Sequence, residues 1–300
     1  MIAAIHHDAL LYSKLANFLY KCSNFYVKEF VMLDLNQRFA YDGQLVAWGS
    51  MGDGPPLVLV HGFPWSAQAW RSIAPWLART HTVYFFDMLG CGQSEKAAGQ
   101  SVTESVQSDL LAALVRHWGI EPPHVIGHDF GGLCALRGHF VNGLNYAKLH
   151  LIDAVAVLPS GSPFYAHVAH HEDAFSGLPD YAHEALFRAY IQKAAHYPLR
   201  ETAIQTYWAP WSDADGKAAF YRQIAQADTI HIEDVQKRYT ETAFETHIIW
   251  GERDTFIPIS QGQELSQQIR ASSFTPIADA AHLVQEDAPE ALLGALFQTL

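Results

Sequence analysis

The chain predicts an α/β fold, a mainly parallel sheet with helices on both faces, and three observations carry that expectation. Short apolar runs of strand type recur at residues 57–60 (LVLV), 82–86 (TVYFF), 125–126, 150–155 and 246–250, several of them apolar throughout as in strands buried on both faces. Helical patterns separate these runs, which is the alternation of a parallel sheet. At residues 123–137 (PHVIGHDFGGLCALR) a strand leads through a tight turn into a helix, with one reactive side chain, Asp129, at the apex.

Composition narrows the function before any motif is read. The 300 residues are 49% apolar and 17% charged, as in a soluble globular protein, and carry a net charge of −12. An acidic surface repels nucleic acid and anionic membranes, so a neutral small molecule is the expected partner. Cys22, Cys91 and Cys134 are odd in number and lack CxxC spacing, which predicts a reducing, cytoplasmic setting with no cysteine metal site. No apolar run is long enough to span a membrane. Residues 1–31 leave two readings open: an amphipathic helix on Leu11, Leu15 and Leu19, or a dispensable, non-native extension ahead of a start at Met32.

In chain order, residues 38–41 and 44–48 form a hairpin across Asp42-Gly43. The strand at 57–60 ends in His61-Gly62-Phe63-Pro64-Trp65. A helix presenting Trp70, Ile73, Trp76 and Leu77 follows, then the strand at 82–86. In the loop 87–94 (DMLGCGQS) the glycines permit a tight bend and Asp87 bonds nearby backbone; their spacing fits neither a Walker segment nor GxGxxG, so no nucleotide is expected. Ser101 to Glu104 has capping-box spacing, and Val106, Leu110, Leu114 and Trp118 make a helical face that Gly119 terminates. The apex strand and helix come next, then the strand at 150–155 carrying Asp153.

The alternation stops after Leu158. Residues 159–245 are rich in aromatics and histidine, with helical patches at 183–195 and 217–226, before a strand at 246–250 and another at 273–277. The expected division is a core of 32–158 and 246–300 with 159–245 inserted as a helical cap that excludes water from the apex and walls the pocket. His167, His170 and His171 beside Glu172 and Asp173 lack the HExxH pattern and are read as solvated surface, not a metal site.

The apex segment G-H-D-F-G-G resembles the nucleophile elbow of the α/β-hydrolase fold in its epoxide hydrolase and haloalkane dehalogenase branch, where aspartate replaces the serine of esterases. A carboxylate is ionised at neutral pH and attacks an sp3 carbon without a base to activate it. The resemblance extends through HGFP at 61–64, the DxxGxGxS of 87–94, W-G-E-R-D at 250–254 and D-A-A-H at 279–282. It implies Asp129 as nucleophile, Asp254 as triad acid and His282 as base, in the chain order of the fold, with the backbone N–H groups of Phe63 and Phe130 as oxyanion hole. Asp153, 24 positions past the nucleophile, is the alternative acid. His61 is read as a structural hydrogen-bonder.

Phe220-Tyr221-Arg222 resembles the WYR segment of epoxide hydrolase caps, which makes Tyr221, with Tyr190, the candidate donor to a leaving oxygen. Trp65, Trp208 and Trp211 are candidate substrate-binding residues. The implied reaction is a two-step hydrolysis through an alkyl ester, needing water and no metal or cofactor. The expected substrate is a small neutral apolar epoxide, with haloalkane or haloacid dehalogenation as the rival reaction. A third reading is a binding protein of this fold with little turnover.

Overall fold

The computed structural model describes residues 32–120 and 122–300; the expectations for residues 1–31 lie outside them. Eight strands form one sheet in the order β1-β2-β4-β3-β5-β6-β7-β8. They are β1 (Gln37–Tyr41), β2 (Gln44–Met51), β3 (Pro56–Val60), β4 (Thr82–Phe86), β5 (His124–His128), β6 (Lys148–Ile152), β7 (Glu245–Gly251) and β8 (Ser273–Ile277). The β1–β2 hairpin turns through Asp42 (φ 47°) and Gly43 (φ 75°), both left-handed as a two-residue hairpin turn requires. β2 meets β4 antiparallel, and from β4 to β8 every pairing is parallel.

β3 shows why the parallel strands read as unbroken apolar runs. Val58 and Val60 face the cluster beneath the helices Glu104–Trp118 and Phe130–Phe140, while Leu57 and Leu59 face the opposite layer with Trp70, Leu77 and Leu292. Alternate side chains point to opposite faces and both faces are covered.

Three local expectations change. The strand expected over 150–155 runs from Lys148 to Ile152, because Asp153 takes φ 41° and breaks the extended backbone. The helix expected through Trp70, Ile73, Trp76 and Leu77 is a 3-10 turn, Ala67–Trp70, and a single α-turn, Ala74–Leu77. Pro75 lacks the N–H that a continuous ladder needs, and Trp76 is exposed. The helix Glu104–Trp118 is capped by Thr103, whose hydroxyl accepts from Val106 N; Glu104 is its first residue, so the capping box from Ser101 does not form.

Between β6 and β7 lie the helices Pro163–His170, Glu172–Ser176, Asp180–Lys193, Glu201–Trp208, Ala214–Gln226 and Ile230–Gln236. They share an apolar cluster with the helices over the sheet. Polar ties join them to the loops at the strand ends. Trp211 Nε1 donates to Pro64 O at 3.0 Å, and Leu283 N donates to Ala194 O at 2.8 Å. Buried Arg71 meets Glu286 and donates to the Tyr207 hydroxyl, which itself bonds Glu286 at 2.6 Å. Among the described residues no helix is long and apolar enough to cross a membrane.

Candidate active site

The register sets Val60 beside Gly127 and His128 beside Ile152 at the carboxyl ends of β3, β5 and β6. The loops that follow these ends carry Phe63, Asp129 and Asp153, and those after β7 and β8 carry Asp254 and His282. In open α/β sheets that edge is where ligands bind.

The elbow is built by close approach. A side chain on Gly131 would put its Cβ 2.2 Å from Val60 O, and one on Gly62 would sit 2.2 Å from Asp129 Oδ1. Asp129 between them is held at φ 56°, ψ −127°, a backbone region costing about 1–3 kcal/mol for a non-glycine residue. Hydrogen bonds from Gly132 N and Val155 N to its carbonyl, and from its own N–H to Ile152 O, fix it there.

The Asp129 carboxylate lies between two donors. Phe63 N–H donates to Oδ1 at 3.0 Å, and His282 Nε2 is 3.1 Å from Oδ2. Phe130 opens the following helix, so its N–H belongs to the first turn, where no intrahelical acceptor exists. On the far side of the imidazole, Nδ1 is 2.8 Å from Asp254 Oδ2, and Asp254 Oδ1 accepts from Phe256 N and Ile257 N at 2.7 and 2.9 Å. Burial opposes the charged ring, but the Asp254 charge and hydrogen bonds to both carboxylates outweigh it and hold His282 well above the usual histidine range.

Asp153 is fully buried; Oδ1 accepts from Gly251 N at 2.9 Å and Oδ2 has no hydrogen-bond partner. Burial, then the neighbouring Asp254 charge, raises its carboxyl well above the usual value. Asp254 holds the position against the ring and Asp153 stands behind it. Among the described residues, Asp153, Asp254 and His282 are the one group of such side chains spaced closely enough to hold a metal ion, with ligand atoms within 4.8 Å of one another. The Asp254–His282 hydrogen bond already uses two of them.

His128 carries a contribution the sequence does not signal. Its Nε2 is 2.8 Å from the carbonyl of His282, and its ring is 4.9 Å from the His282 ring. Burial, then the His282 charge, lowers it to about 4, so it is neutral and its Nε2–H donates, anchoring the loop that carries His282. His61 accepts from Met88 N at Nε2 and donates from Nδ1 to Gly62 O, bracing the Phe63 loop.

The expected cap residues separate. The Tyr190 hydroxyl donates to that of Tyr165 at 3.4 Å. Tyr165 packs on Phe130, Tyr190 on Phe256, and Phe256 on His282. Burial raises both phenols, and the Asp129 charge adds to the shift. Tyr165 is the partner that sequence reasoning missed. Tyr221 lies elsewhere: its hydroxyl is 2.9 Å from His183 Nδ1, and His183 Nε2 is 3.1 Å from Trp211 O, so its proton is committed inside the inserted helices. Trp211 is fully buried with its N–H on Pro64 O, and Trp208 packs on His183 and Phe187. Trp65 is buried against Tyr207. Trp65 and Trp211 pack the insert against the core, and Trp208 packs within the insert.

The comparisons agree with this architecture. The family model described as "alpha/beta hydrolase fold" matches residues 55–138. A solved α/β-hydrolase fold protein from Burkholderia ambifaria is 50% identical, with a TM-score of 0.87 over 89% of this chain and 99% of that one. The chain belongs to the α/β-hydrolase fold family. A soluble epoxide hydrolase from Corynebacterium sp. (strain C12) is 34% identical over 145 residues, 47% of this chain and 50% of that protein. A fluoroacetate dehalogenase from Burkholderia sp. is 33% identical over 127 residues, 40% of this chain and 42% of that protein. The match thus spans half or less of these two relatives.

Proposed function

We propose that this protein is a hydrolase with an aspartate nucleophile, acting through a covalent alkyl ester, and that its substrate is an epoxide. The observation that carries the reading is the Asp129 carboxylate held 3.1 Å from His282 Nε2 and 3.0 Å from Phe63 N, with Asp254 orienting the imidazole. In the first step an Asp129 oxygen attacks an epoxide carbon, the C–O bond breaks, and a phenol of the Tyr165–Tyr190 pair gives its proton to the leaving oxygen. In the second step neutral His282 takes a proton from water, which attacks the ester carbonyl carbon. The oxyanion is stabilised by the N–H groups of Phe63 and Phe130. Collapse releases the diol and regenerates the carboxylate, and the histidine's proton returns to the phenolate.

The helices of residues 159–245 act in this reading as a cap that excludes bulk water. Dehalogenation, the second reading, is favoured by the likeness to the fluoroacetate dehalogenase. A halide needs N–H donors around it, and neither phenylalanine side chain beside Asp129 carries one; Trp211 Nε1 is committed to Pro64 O, which leaves buried, unpartnered Trp65 Nε1 as the indole donor this reading would call on. Free, buried Cys91 and Cys134 fit a reducing cytoplasmic setting.

Intact-mass spectrometry of a His282→Gln variant after exposure to epoxides and to haloalkanes tests the proposal. The expected result is an adduct on the Asp129 peptide carrying the full mass of the epoxide. An adduct formed only with loss of halide assigns dehalogenation, and no adduct from either class leaves a binding protein.

A further inference from the structure

Beside the oxyanion-hole residues is a cavity of about 20 Å³, enough for one water-sized group, walled by Phe63, Met88, Val102, Phe130, Cys134 and Glu104. Its wall is apolar apart from three side chains. Gln107 is committed at both ends to the Leu89 backbone, at 3.1 and 2.9 Å, and the Gln223 amide nitrogen also donates to Leu89 O, at 2.8 Å. Glu104 is different. It is 6% exposed, and its Oε2 has no hydrogen-bond partner.

The nearest base is His231, with Nε2 3.7 Å away, beyond hydrogen-bond reach; burial, then the charge of Arg137, keeps that ring neutral. Burial likewise pushes the Glu104 carboxyl up to about 7. A buried acceptor without a donor costs roughly 1–3 kcal/mol, which a protein rarely sustains unless something supplies the donor. Thr103 caps the helix that Glu104 begins, and backbone hydrogen bonds at Glu104 itself and at Asp228 hold the carboxyl while Oε2 stays without a partner.

We propose that this cavity receives a hydroxyl group of the substrate and that Glu104 Oε2 accepts its hydrogen bond, so that the enzyme selects an electrophile bearing an alcohol on the chain beyond the reacting carbon. A hydroxyl has one proton to place and meets one free acceptor. An ammonium brings three N–H donors and would leave two unmet among Phe63, Val102 and Phe130. The inference rests on the aspartate-nucleophile reading for the direction in which the substrate lies. Phe63 supplies both the wall and the N–H on Asp129 Oδ1, and thus links cavity and nucleophile.

The test compares a terminal 1,2-epoxyalkane with its ω-hydroxy counterpart of equal length, on the wild type, Glu104→Leu and Glu104→Gln. At about pH 8.5, above the Glu104 value of about 7 so that the acceptor is charged, wild type is expected to favour the hydroxy epoxide in kcat/KM by about tenfold to a hundredfold. The ratio should fall to about one in Glu104→Leu and to an intermediate value in Glu104→Gln, a shape-preserving variant that serves should the leucine not fold. Equal rates in the wild type, or a ratio unchanged in either variant, overturn the proposal. Calorimetric titration with an unreactive amide and its ω-hydroxy form separates this from the fate of the epoxide reading. If no epoxide alkylates Asp129, tighter binding of the hydroxy amide to wild type but not to Glu104→Leu still supports the cavity's role. Equal binding means a bound water only, and removes it.

Discussion

Replacing Asp254 by Asn probes the arrangement at its centre. Asp254 Oδ1 accepts from Phe256 N and Ile257 N, so an asparagine keeps its carbonyl there and turns its NH2 towards His282 Nδ1. Nδ1 must then accept, and the ring proton moves to Nε2, facing Asp129, where it blocks uptake of a proton from water. Charge is lost as well: at roughly 4 Å and an effective dielectric of about 20, a carboxylate favours the imidazolium by about 4 kcal/mol. The same exchange in a Ser-His-Asp triad lowers turnover roughly 10⁴-fold. A fall of at least about 10³ in steady-state turnover is therefore expected here. The first step needs only Asp129 and the phenols, so the variant should still form the ester and accumulate it. Intact mass after mixing reads the ester, and product formation reads turnover. Turnover within tenfold of wild type, with no ester accumulating, would refute the assignment; an Asp153→Asn variant that accumulates ester in its place would transfer the acid's role to Asp153.

Tyr165→Phe and Tyr190→Phe should each slow ester formation by about tenfold or more, as loss of a general acid does, while Tyr221→Phe should stay within about threefold; stopped-flow tryptophan fluorescence separates the three. Gly131→Ala places a Cβ 2.2 Å from Val60 O, a backbone atom that cannot rotate away, and should lower unfolding stability by about 1–3 kcal/mol or more in urea titrations. Stability should also fall in acid. Burial, then the His247 charge, lowers His150 to about 3, and His128 lies at about 4, so between these values and the ordinary 6.5 the unfolded chain binds more protons than the folded one. The contribution is complete above about pH 6.5 and is lost as pH falls through that window, by up to about 1.4 kcal/mol per pH unit per histidine. A His150→Gln variant should show a shallower acid limb in urea midpoints between pH 7 and pH 4, and a limb as steep as the parent's would remove His150 as a cause.

The readable parts of this chain are those whose geometry is local. An elbow needs small residues where strand and helix nearly touch, so Gly127 and Gly131 announce it, and the turn between them aims Asp129 at the ends of the neighbouring strands. Asp254 and His282 likewise sit in short loops directly after strands, where position along the chain and position at the sheet edge coincide. Tyr165 was not readable, because its meeting with Tyr190 depends on how the helix Pro163–His170 docks on Asp180–Lys193 across 25 positions, and aromatic spacing within either helix carries no trace of it. Tyr221 shows the converse case: a local motif singled it out, and tertiary packing sets its hydroxyl against His183 Nδ1. His128 looks like any buried strand residue until its Nε2 is found on a carbonyl 154 positions away. Glu104 sat behind a capping-box spacing that the helix does not use.

The charges around His282 explain why the two proposed steps run in one order. In the free protein the imidazole lies between Asp129 and Asp254, both within 3.1 Å, with Asp153, whose carboxyl burial raises, behind them. There the ring is held protonated and cannot act as a base, so water near the nucleophile is not activated before substrate arrives. Attack by Asp129 turns its carboxylate into a neutral ester and removes one of the two negative charges that raised the ring. Its pKa then falls, the ring gives its proton to solvent (regaining one when the Asp129 carboxylate re-forms at the end of the cycle), and Nε2 becomes an acceptor facing the new ester carbonyl. Asp254 remains to orient the ring and to stabilise the imidazolium that returns when water is deprotonated. Were Asp153 ionised as well, its added negative charge would hold the imidazolium after the ester had formed and stall the second step. Burial, which favours the protonated form of Asp153, therefore works in the same direction as the loss of charge on Asp129 in letting the histidine pass from counter-ion to base.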